Sequence, residues 1–234
     1  MSQTLSKLPE VVPAGDAAVL ILFSDEVSIE ISARVHQLAW ALEKKCLEGV
    51  RELIPARSSL MLEYDPLVLS FEEIRSVVEG TSAKGLGTSM LEGRLREIPV
   101  VYGGLYGPDL ASVSQYHGMS DGDVVRLHSS VTYVVAALAF APGQPSLIGL
   151  PAQLAMPRRE SPRQLVPAGT LAITNQATIY TLAGPGGAML VGRTHCKLFD
   201  PWSDPPTYLQ PGDRVRFVPI AEDDYLGLGG VRAE

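Results

Sequence analysis

The stretch VTYVVAALAFAPGQPSLIGL, residues 131–150, decides the fold of the second part of the chain. It opens with an apolar run typical of a buried strand and ends in a segment with two prolines, two glycines and no charged side chain. Prolines interrupt helices and interior strands, whereas surface loops are usually polar. The sequence therefore predicts a buried strand followed by an apolar loop.

Short apolar runs and Pro/Gly turns also mark the sequence on either side of this stretch. LREIPVVY (95–102) is predicted to be a strand, and PGDRVRFVPI (211–220) a turn that leads into an alternating strand. GPDLASVSQYHG (107–118) and SDGDVVRLHS (120–129) have the polar starts of short capped helices. Several short strands without a long helix between them are typical of a β-barrel or a sandwich.

The first 80 residues have a different pattern, in which longer amphipathic runs alternate with paired strands. Ser70 and Glu73 have the spacing of a helix capping box. Together the patterns predict the order ββαββα, an α+β sandwich. The predicted elements are a hairpin over 10–23, a helix over 28–49 that ends at Gly49, two strands within 50–65, and a helix over 70–80.

A domain boundary is predicted near residue 90. TSAKGLGTS (81–89) is small, polar and glycine-bearing, as flexible linkers are. We therefore predict a small α/β domain over 1–90 and a mainly-β barrel domain over 91–234.

Composition indicates a globular protein and excludes several partner classes. The 46% hydrophobic and 19% charged fractions do not fit a disordered chain, and the net charge of -7 argues against nucleic acid as the main partner. No apolar run approaches the ~20 residues of a membrane span, and the first ten residues lack the pattern of a signal peptide. We expect a cytoplasmic protein in which Cys46 and Cys196 are reduced.

The four histidines are candidates for acid–base or metal chemistry, because imidazole titrates near neutrality. His36 is predicted to be a surface or packing residue of the first helix, and His117 to cap a helix end before Gly118. The pair His195–Cys196 lacks the ligand number of a zinc site, so no metal site is predicted. His128 stands just ahead of the strand that begins near 131, where a capping role and a catalytic role are both open.

The glycine-rich stretch AGPGGAMLVGRT (183–194) has two interpretations. The amides around Gly186 and Gly187 could cradle an anion with Arg193 as its counter-charge. The stretch could equally be a tight hairpin with a structural arginine. Spacing alone leaves both interpretations open.

The basic stretch PRRESPR (157–163) is similarly ambiguous. Arg158, Arg159 and Arg163 lie on a proline-pinned segment that could bind a carboxylate or a phosphate. The same composition also suits an ordinary solvated loop.

Seven stretches of the chain, taken in order, resemble the KipI family, also described as allophanate hydrolase subunit 1 and as the B subunit of 5-oxoprolinase. Together they cover nearly the whole chain in the family's order. They are SSLMLEYDP (58–66), REIPVVYGGLYGPDL (96–110), LHSSVTYVV (127–135), AFAPGQPSLIGL (139–150), MPRRESPRQLVPAGTLAI (156–173), QATIYTLAGPGGAMLVGRTHCKLFD (176–200) and LQPGDRVRFVPI (209–220).

The resemblance implies a small α/β N-terminal domain followed by a cyclophilin-like β-barrel. It also implies a KipA-like partner, called allophanate hydrolase subunit 2 or the C subunit of 5-oxoprolinase, and a separate A subunit of 5-oxoprolinase. The implied reaction is ATP-dependent opening of 5-oxoproline to glutamate. ATP, with Mg, would be bound by this chain, by the partner or at their interface.

A lactam resists water because its amide is resonance-stabilised, so phosphorylation of the amide oxygen is the simplest use of ATP. That step needs cations and backbone amides around the developing charge. The catalytic candidates are His128 and Arg193. The candidates for binding substrate or phosphate are Arg158, Arg159, Arg163, Gly186 and Gly187. The candidates for lining a cleft are Phe140, Pro142, Gly143, Gln144 and Tyr180.

The chain departs from the family pattern at three aromatic positions. Gln144, Ser146 and Ala188 stand where the family carries Phe, Tyr and Trp, which removes rings on which a substrate could stack. We expect one component of a 5-oxoprolinase-type complex, inactive without its partner. The alternative is a regulatory binding protein that inhibits a sensor histidine kinase, the second role that the resemblance implies.

Overall fold

The computed structural model of the protein describes residues 8–83 and 93–233, which fall into two compact units, Met1–Glu92 and Gly93–Glu234. Within residues 8–83, the first unit contains two helices and four strands. They are β1 (Glu10–Pro13), β2 (Ala18–Leu22), α1 (Ile29–Glu43), β3 (Val50–Pro55), β4 (Ser59–Tyr64) and α2 (Phe71–Ala83).

The four strands of the first unit form one antiparallel sheet in the order β1-β2-β4-β3. Alternate residues of β2 and β4 point to the same face, because successive side chains of a strand point to opposite sides. Val19 and Leu62 on that face are buried in one core with Leu38 of α1 and Ile74 of α2. The core therefore lies between the sheet and the two helices.

Both helices of the first unit differ in length from the sequence expectation. Helix α1 ends at Glu43 instead of Gly49, because the chain continues in tighter turns, with Lys45 N–H donating to the Leu42 carbonyl at 3.0 Å and Cys46 N–H to the Glu43 carbonyl at 3.1 Å. Cys46 then adopts a left-handed φ of +46°. Helix α2 begins with the predicted capping box between Ser70 and Glu73 and continues to Ala83. The predicted linker is thus helical over its first three residues, and its remainder, 84–89, lies outside the described residues.

The second unit contains most of the strands. Its described residues, 93–233, form nine strands, three helices and a short 3₁₀ helix, Ala152–Leu154. They are β5 (Leu95–Tyr102), α3 (Leu110–His117), α4 (Asp121–Ser130), β6 (Tyr133–Leu138), β7 (Pro145–Ile148), β8 (Arg163–Val166), β9 (Thr170–Ile173), β10 (Ala177–Ile179), β11 (Gly184–Gly186), β12 (Met189–Arg193), β13 (Arg214–Pro219) and α5 (Glu222–Gly227).

Seven of these strands close into a barrel in the order β10-β7-β6-β13-β5-β12-β9, which confirms the predicted β-barrel. Strands β5 and β13 pair in parallel, with Ile98 opposite Phe217, and the remaining pairs are antiparallel. Both of these side chains are buried in the main core together with Leu147 and Leu171. The cyclophilin-like character of the barrel stays a prediction.

The other two strands, β8 and β11, form a separate two-stranded ribbon. Ala172 and Leu190 of the barrel strands are buried in a second, smaller cluster with Val166 of the ribbon and with Tyr180. Leu171 and Ile173 face the main core, so Ala172 between them faces the outside of the barrel. The ribbon therefore covers a patch of the outer barrel wall.

The glycine-rich stretch 183–194 supplies β11 and β12, but these two strands do not pair with each other. Strand β11 pairs with β8, whereas β12 pairs with β5 and β9. The interpretation of this stretch as a tight hairpin is therefore wrong. Its two halves belong to different layers of the second unit.

Candidate functional site

A buried carboxylate holds the arginine-bearing loop against the barrel. Asp109, whose side chain is 5% exposed, accepts two hydrogen bonds of 2.8 Å from Arg163 and a longer one of 3.4 Å from Arg159. Its Oδ2 atom also accepts the backbone N–H of Leu190 at 2.8 Å. The carboxylate thus joins the start of α3, the ribbon strand β8 and the barrel strand β12.

This network gives two of the predicted anion-binding arginines an internal partner. A bidentate arginine–carboxylate pair is a strong and geometrically specific interaction, and removing one member of a buried pair leaves an unpaired charge. An incoming anion would have to compete with Asp109 for Arg163. A substrate role for Arg159 and Arg163 stays a prediction, whereas their structural role is visible in these hydrogen bonds.

The predicted glycines lie beside this loop. The backbone N–H of Arg159 donates to the carbonyl of Gly187 at 2.8 Å, and Gly186 lies opposite Arg163 in the ribbon. A Cβ on Gly186 would overlap the hydroxyl of Tyr180. Glycine at this position lets the ribbon pack directly on the buried Tyr180 ring, which explains the residue without invoking a phosphate.

Arg193 does not join these glycines. It lies at the far end of β12, and the five extended residues of that strand span roughly 13 Å. Its guanidinium carbon lies 5.6 Å from the centre of the Tyr106 ring, and its Nε atom is buried without a hydrogen-bond partner among the described residues. The structure therefore does not assemble Gly186, Gly187 and Arg193 into one phosphate loop.

The other catalytic candidate, His128, is inside the second unit. It is 1% exposed, its ring stacks on Phe217 at 4.8 Å, and its Nδ1 atom lies 2.9 Å from the Tyr102 hydroxyl. Burial lowers the pKa of His128 to about 3, so the imidazole is neutral near pH 7. A general acid–base must reach its substrate, and this geometry does not support that role for His128.

The apolar loop of the opening stretch separates into an exposed tip and a buried base. Phe140 at the tip has a φ of +77° and is 79% exposed, whereas Gly143 packs on Phe199 with a φ of +70°. The hydroxyl of Thr181 donates to the Pro142 carbonyl at 2.8 Å and ties the loop to the segment after β10. This bond brings Pro142, and with it the loop that carries Phe140, close to Thr181.

Two of the predicted cleft residues are buried instead of lining an open cleft. Gln144 is 7% exposed, and its amide nitrogen donates to the Thr178 hydroxyl at 3.4 Å. Tyr180 is 5% exposed and packs between the barrel wall and the ribbon. Gln144, just before β7, and Ser146 of β7 thus form hydrogen bonds across to the neighbouring strand β10. The Ser146 hydroxyl donates to Gln176, just before β10.

An open groove of about 470 Å³ lies beside the arginine loop. Met156 and Thr174 are buried at its base, whereas Arg158, Asn175 and Tyr116 are exposed at its edge. Within the part of the chain that the structure describes, the Arg158 guanidinium forms no ion pair and no hydrogen bond. Residues 155 and 157 complete the lining.

Sequence analysis identified only one residue of this groove, Arg158. Tyr116 comes from the end of α3, and Thr174 and Asn175 come from the turn between β9 and β10. These segments lie far apart in the sequence, so no local motif joins them. Only the closure of the barrel brings them together.

The residues 8–83 and 93–233 contain no cluster of three or more His, Cys, Asp or Glu side chains that could hold a metal ion. Cys46 is exposed and Cys196 is partly buried, and neither forms a disulfide. Across the same residues, every helix is too short or too polar to cross a bilayer.

Comparison with known proteins places these features in a family. The family described as "Carboxyltransferase domain, subdomain C and D" has a sequence model that matches residues 9–209 of the chain. The chain is 39% identical over 222 residues to the B subunit of 5-oxoprolinase from Bacillus subtilis (strain 168), covering 90% of this chain and 92% of that protein. It is 43% identical over 211 residues to the protein of the same name from Escherichia coli O157:H7, covering 89% and 94%.

Solved structures share the fold. The crystal structure of TTHA0988 has a TM-score of 0.77 and 37% identity, and the match covers 87% of this chain but 40% of that longer one. The Kluyveromyces lactis urea carboxylase matches with a TM-score of 0.75 over 94% of this chain and 22% of its own. At 20% identity, the urea carboxylase match shows the fold alone.

Proposed function

Because the chain belongs to the KipI family of carboxyltransferase domains, which includes the B subunit of 5-oxoprolinase, we propose that it is one component of an ATP-dependent complex that opens 5-oxoproline to glutamate. The observation that carries this proposal is the match to two proteins of that name at 39% and 43% identity over about nine-tenths of each chain. In this proposal the isolated chain is inactive. We propose that the complex acts in the cytoplasm.

The proposed partner is a KipA-like protein, equivalent to the C subunit of 5-oxoprolinase, together with a separate A subunit. The relatives are named as the B subunit of their enzyme, which implies further subunits for those proteins. In TTHA0988 the matching region makes up 40% of a longer chain, so the same fold there is covalently joined to additional protein. Both observations support a surface on this chain that other protein covers.

The described residues do not fit a self-contained Mg–ATP site. Gly186 packs on Tyr180, Gly187 accepts a hydrogen bond from Arg159, and Arg193 lies at the other end of β12. ATP supplies the activation that a resonance-stabilised lactam needs. We therefore assign the nucleotide to the partner or to the interface, and to this chain the binding and positioning of the anionic substrate.

Arg193 is the residue of this chain that the proposal places nearest to the chemistry. A partly buried guanidinium that has no carboxylate partner among the described residues can bind an anion once the complex assembles. The guanidinium also lies over the Tyr106 ring, which fixes its position without neutralising its charge. We expect this charge to be completed by the partner protein or by the nucleotide held at the interface.

The test is to co-express this chain with its KipA-like partner and the A subunit and to measure glutamate release from 5-oxoproline with and without ATP. We expect ATP-dependent turnover by the complex and none by the chain alone. Arg193→Gln should reduce turnover at least tenfold, whereas Arg126→Gln, on the exposed face of α4, should not change it. Turnover by the lone chain, or a complex without turnover, would contradict the proposal.

A further inference from the structure

We propose that the groove beside Arg158 binds the carboxylate of a small ligand with a compact apolar body. Arg158 is the charged side chain of the lining, and no acidic side chain lines the groove among the described residues. The guanidinium carries five N–H donors and has no internal carboxylate as partner, unlike Arg163 beside it.

The second polar side chain of the groove is also arranged as a donor. The Asn175 carbonyl oxygen accepts a hydrogen bond of 3.2 Å from the Thr174 hydroxyl. This bond uses one lone pair of the amide oxygen, and the Asn175 NH₂ group has no hydrogen-bond partner among the described residues. Arg158 and Asn175 therefore both present donors, which select a group that only accepts hydrogen bonds, such as a carboxylate.

The base of the groove is preformed. The backbone N–H of Met156 donates to the Thr174 carbonyl at 3.0 Å, and the N–H of Thr174 donates to the Gln176 carbonyl at 2.9 Å. On the other side, Arg159 N–H bonds to Gly187 and Arg163 is held by Asp109. Because both ends of the Arg158 segment are fixed, little backbone ordering remains to oppose binding.

The size and the apolar surface limit the rest of the ligand. A volume of about 470 Å³ lies within the usual range for small-molecule sites. Met156 offers a buried apolar contact, and the exposed Tyr116 ring stands at the edge. A five- or six-membered ring that bears one carboxylate fits this combination, and 5-oxoproline belongs to that class; this choice of ligand rests on the proposed function.

The experiment titrates the full-length protein with 5-oxoproline, with cyclopentanecarboxylate and with the uncharged carboxamide of 5-oxoproline, using calorimetry or ligand-observed NMR. We expect both carboxylates to bind and the carboxamide to bind at least tenfold more weakly. Arg158→Gln and Asn175→Asp should each weaken carboxylate binding at least tenfold, the second by like-charge repulsion. Arg158→Lys should restore part of the affinity.

Arg126→Gln is the matched control and should leave affinity unchanged. All variants should keep the wild-type unfolding temperature within about 2 °C, because Arg158 and Asn175 are exposed. Wild-type affinity in Arg158→Gln, or no binding of any carboxylate, would overturn the inference. Binding of cyclopentanecarboxylate but not of 5-oxoproline would support the groove as a carboxylate site and contradict 5-oxoproline as the substrate. Turnover of 5-oxoproline by the complex with an unchanged KM in Arg158→Gln would support the proposed function and contradict the groove as the binding site.

Discussion

His128 shows how burial changes the chemistry available to a residue. Its position before a strand left a capping and a catalytic role open, yet the ring is enclosed by Tyr102, Tyr133 and Phe217. The Tyr133 hydroxyl also donates to the His128 carbonyl at 2.9 Å. The side chain therefore contributes to the core of the second unit as a neutral imidazole.

This burial makes the stability of the protein sensitive to acid. The pKa of His128 is about 3 in the folded state and has an ordinary value of 6.5, so the unfolded chain binds more protons between these values. The free energy of unfolding should fall by about 1.4 kcal/mol per pH unit as the pH drops below about 6. In His128→Leu this contribution should disappear, as measured by urea unfolding at pH 7, 6 and 5.

The control for this prediction is Val113→Ala, a substitution in the same core without a titratable group, which should keep the wild-type dependence on pH. The comparison concerns the slope, so a constant change in stability from the substitution itself does not affect it. An identical slope in His128→Leu and in the wild type would show that another group carries the acid sensitivity.

Asp109 is the residue of the candidate site that sequence reasoning missed. It precedes α3, where an aspartate is expected to cap the helix, but its side chain forms no capping bond. It reaches instead to Arg163, 54 residues later. Nothing local in the sequence marks such a pair, whereas the basic character of the loop was visible from its composition.

At the scale of elements, the ribbon of β8 and β11 gives two neighbouring glycines different roles. Gly186 and Gly187 could have been adjacent parts of an anion cradle. In the structure they differ, because a Cβ on Gly186 would overlap the Tyr180 hydroxyl, whereas a Cβ on Gly187 would meet Pro162 only at an ordinary 3.7 Å. One glycine is required for packing and its neighbour is not.

This difference can be measured with a matched pair of variants. Gly186→Ala should lower the free energy of unfolding by about 1–3 kcal/mol, because the added methyl group must displace the Tyr180 ring or the ribbon. Gly187→Ala should change it by less than about 0.5 kcal/mol. Denaturant unfolding monitors both, and equal effects would contradict the packing argument.

At the scale of the whole molecule, each unit has its own main core among the described residues. The first is the layer between the sheet and the helices α1 and α2, and the second fills the barrel. Each unit thus buries its own set of apolar side chains, which is the property of an independently folding domain.

We therefore expect the fragment Gly93–Glu234 to fold without the preceding residues. Its circular dichroism spectrum should be dominated by β-structure, and it should unfold in one cooperative transition on heating. The full-length chain with the same solution conditions is the reference. A fragment that lacks a cooperative transition would show that the barrel depends on the first unit.

The sequence by itself determined the elements whose signals are local. The hairpin of β1 and β2, the capping box of α2 and the strand β5 followed from periodicity and turn residues, because those preferences act over a few neighbouring positions. The same signals left a barrel and a sandwich both open for the second unit, and the barrel was implied by the family resemblance. Helix ends were less accurate: α1 ends six residues before Gly49, and α2 continues three residues into the predicted linker.

Only the tertiary structure decided which side chains share a site. It separated Arg193 from Gly186, enclosed His128, paired Arg163 with Asp109 and placed Arg158 in one groove with Asn175. The physical reason is that these contacts join residues far apart in the sequence. They exist because the barrel closes and the ribbon packs on it, and the local preferences of single segments do not specify these long-range contacts.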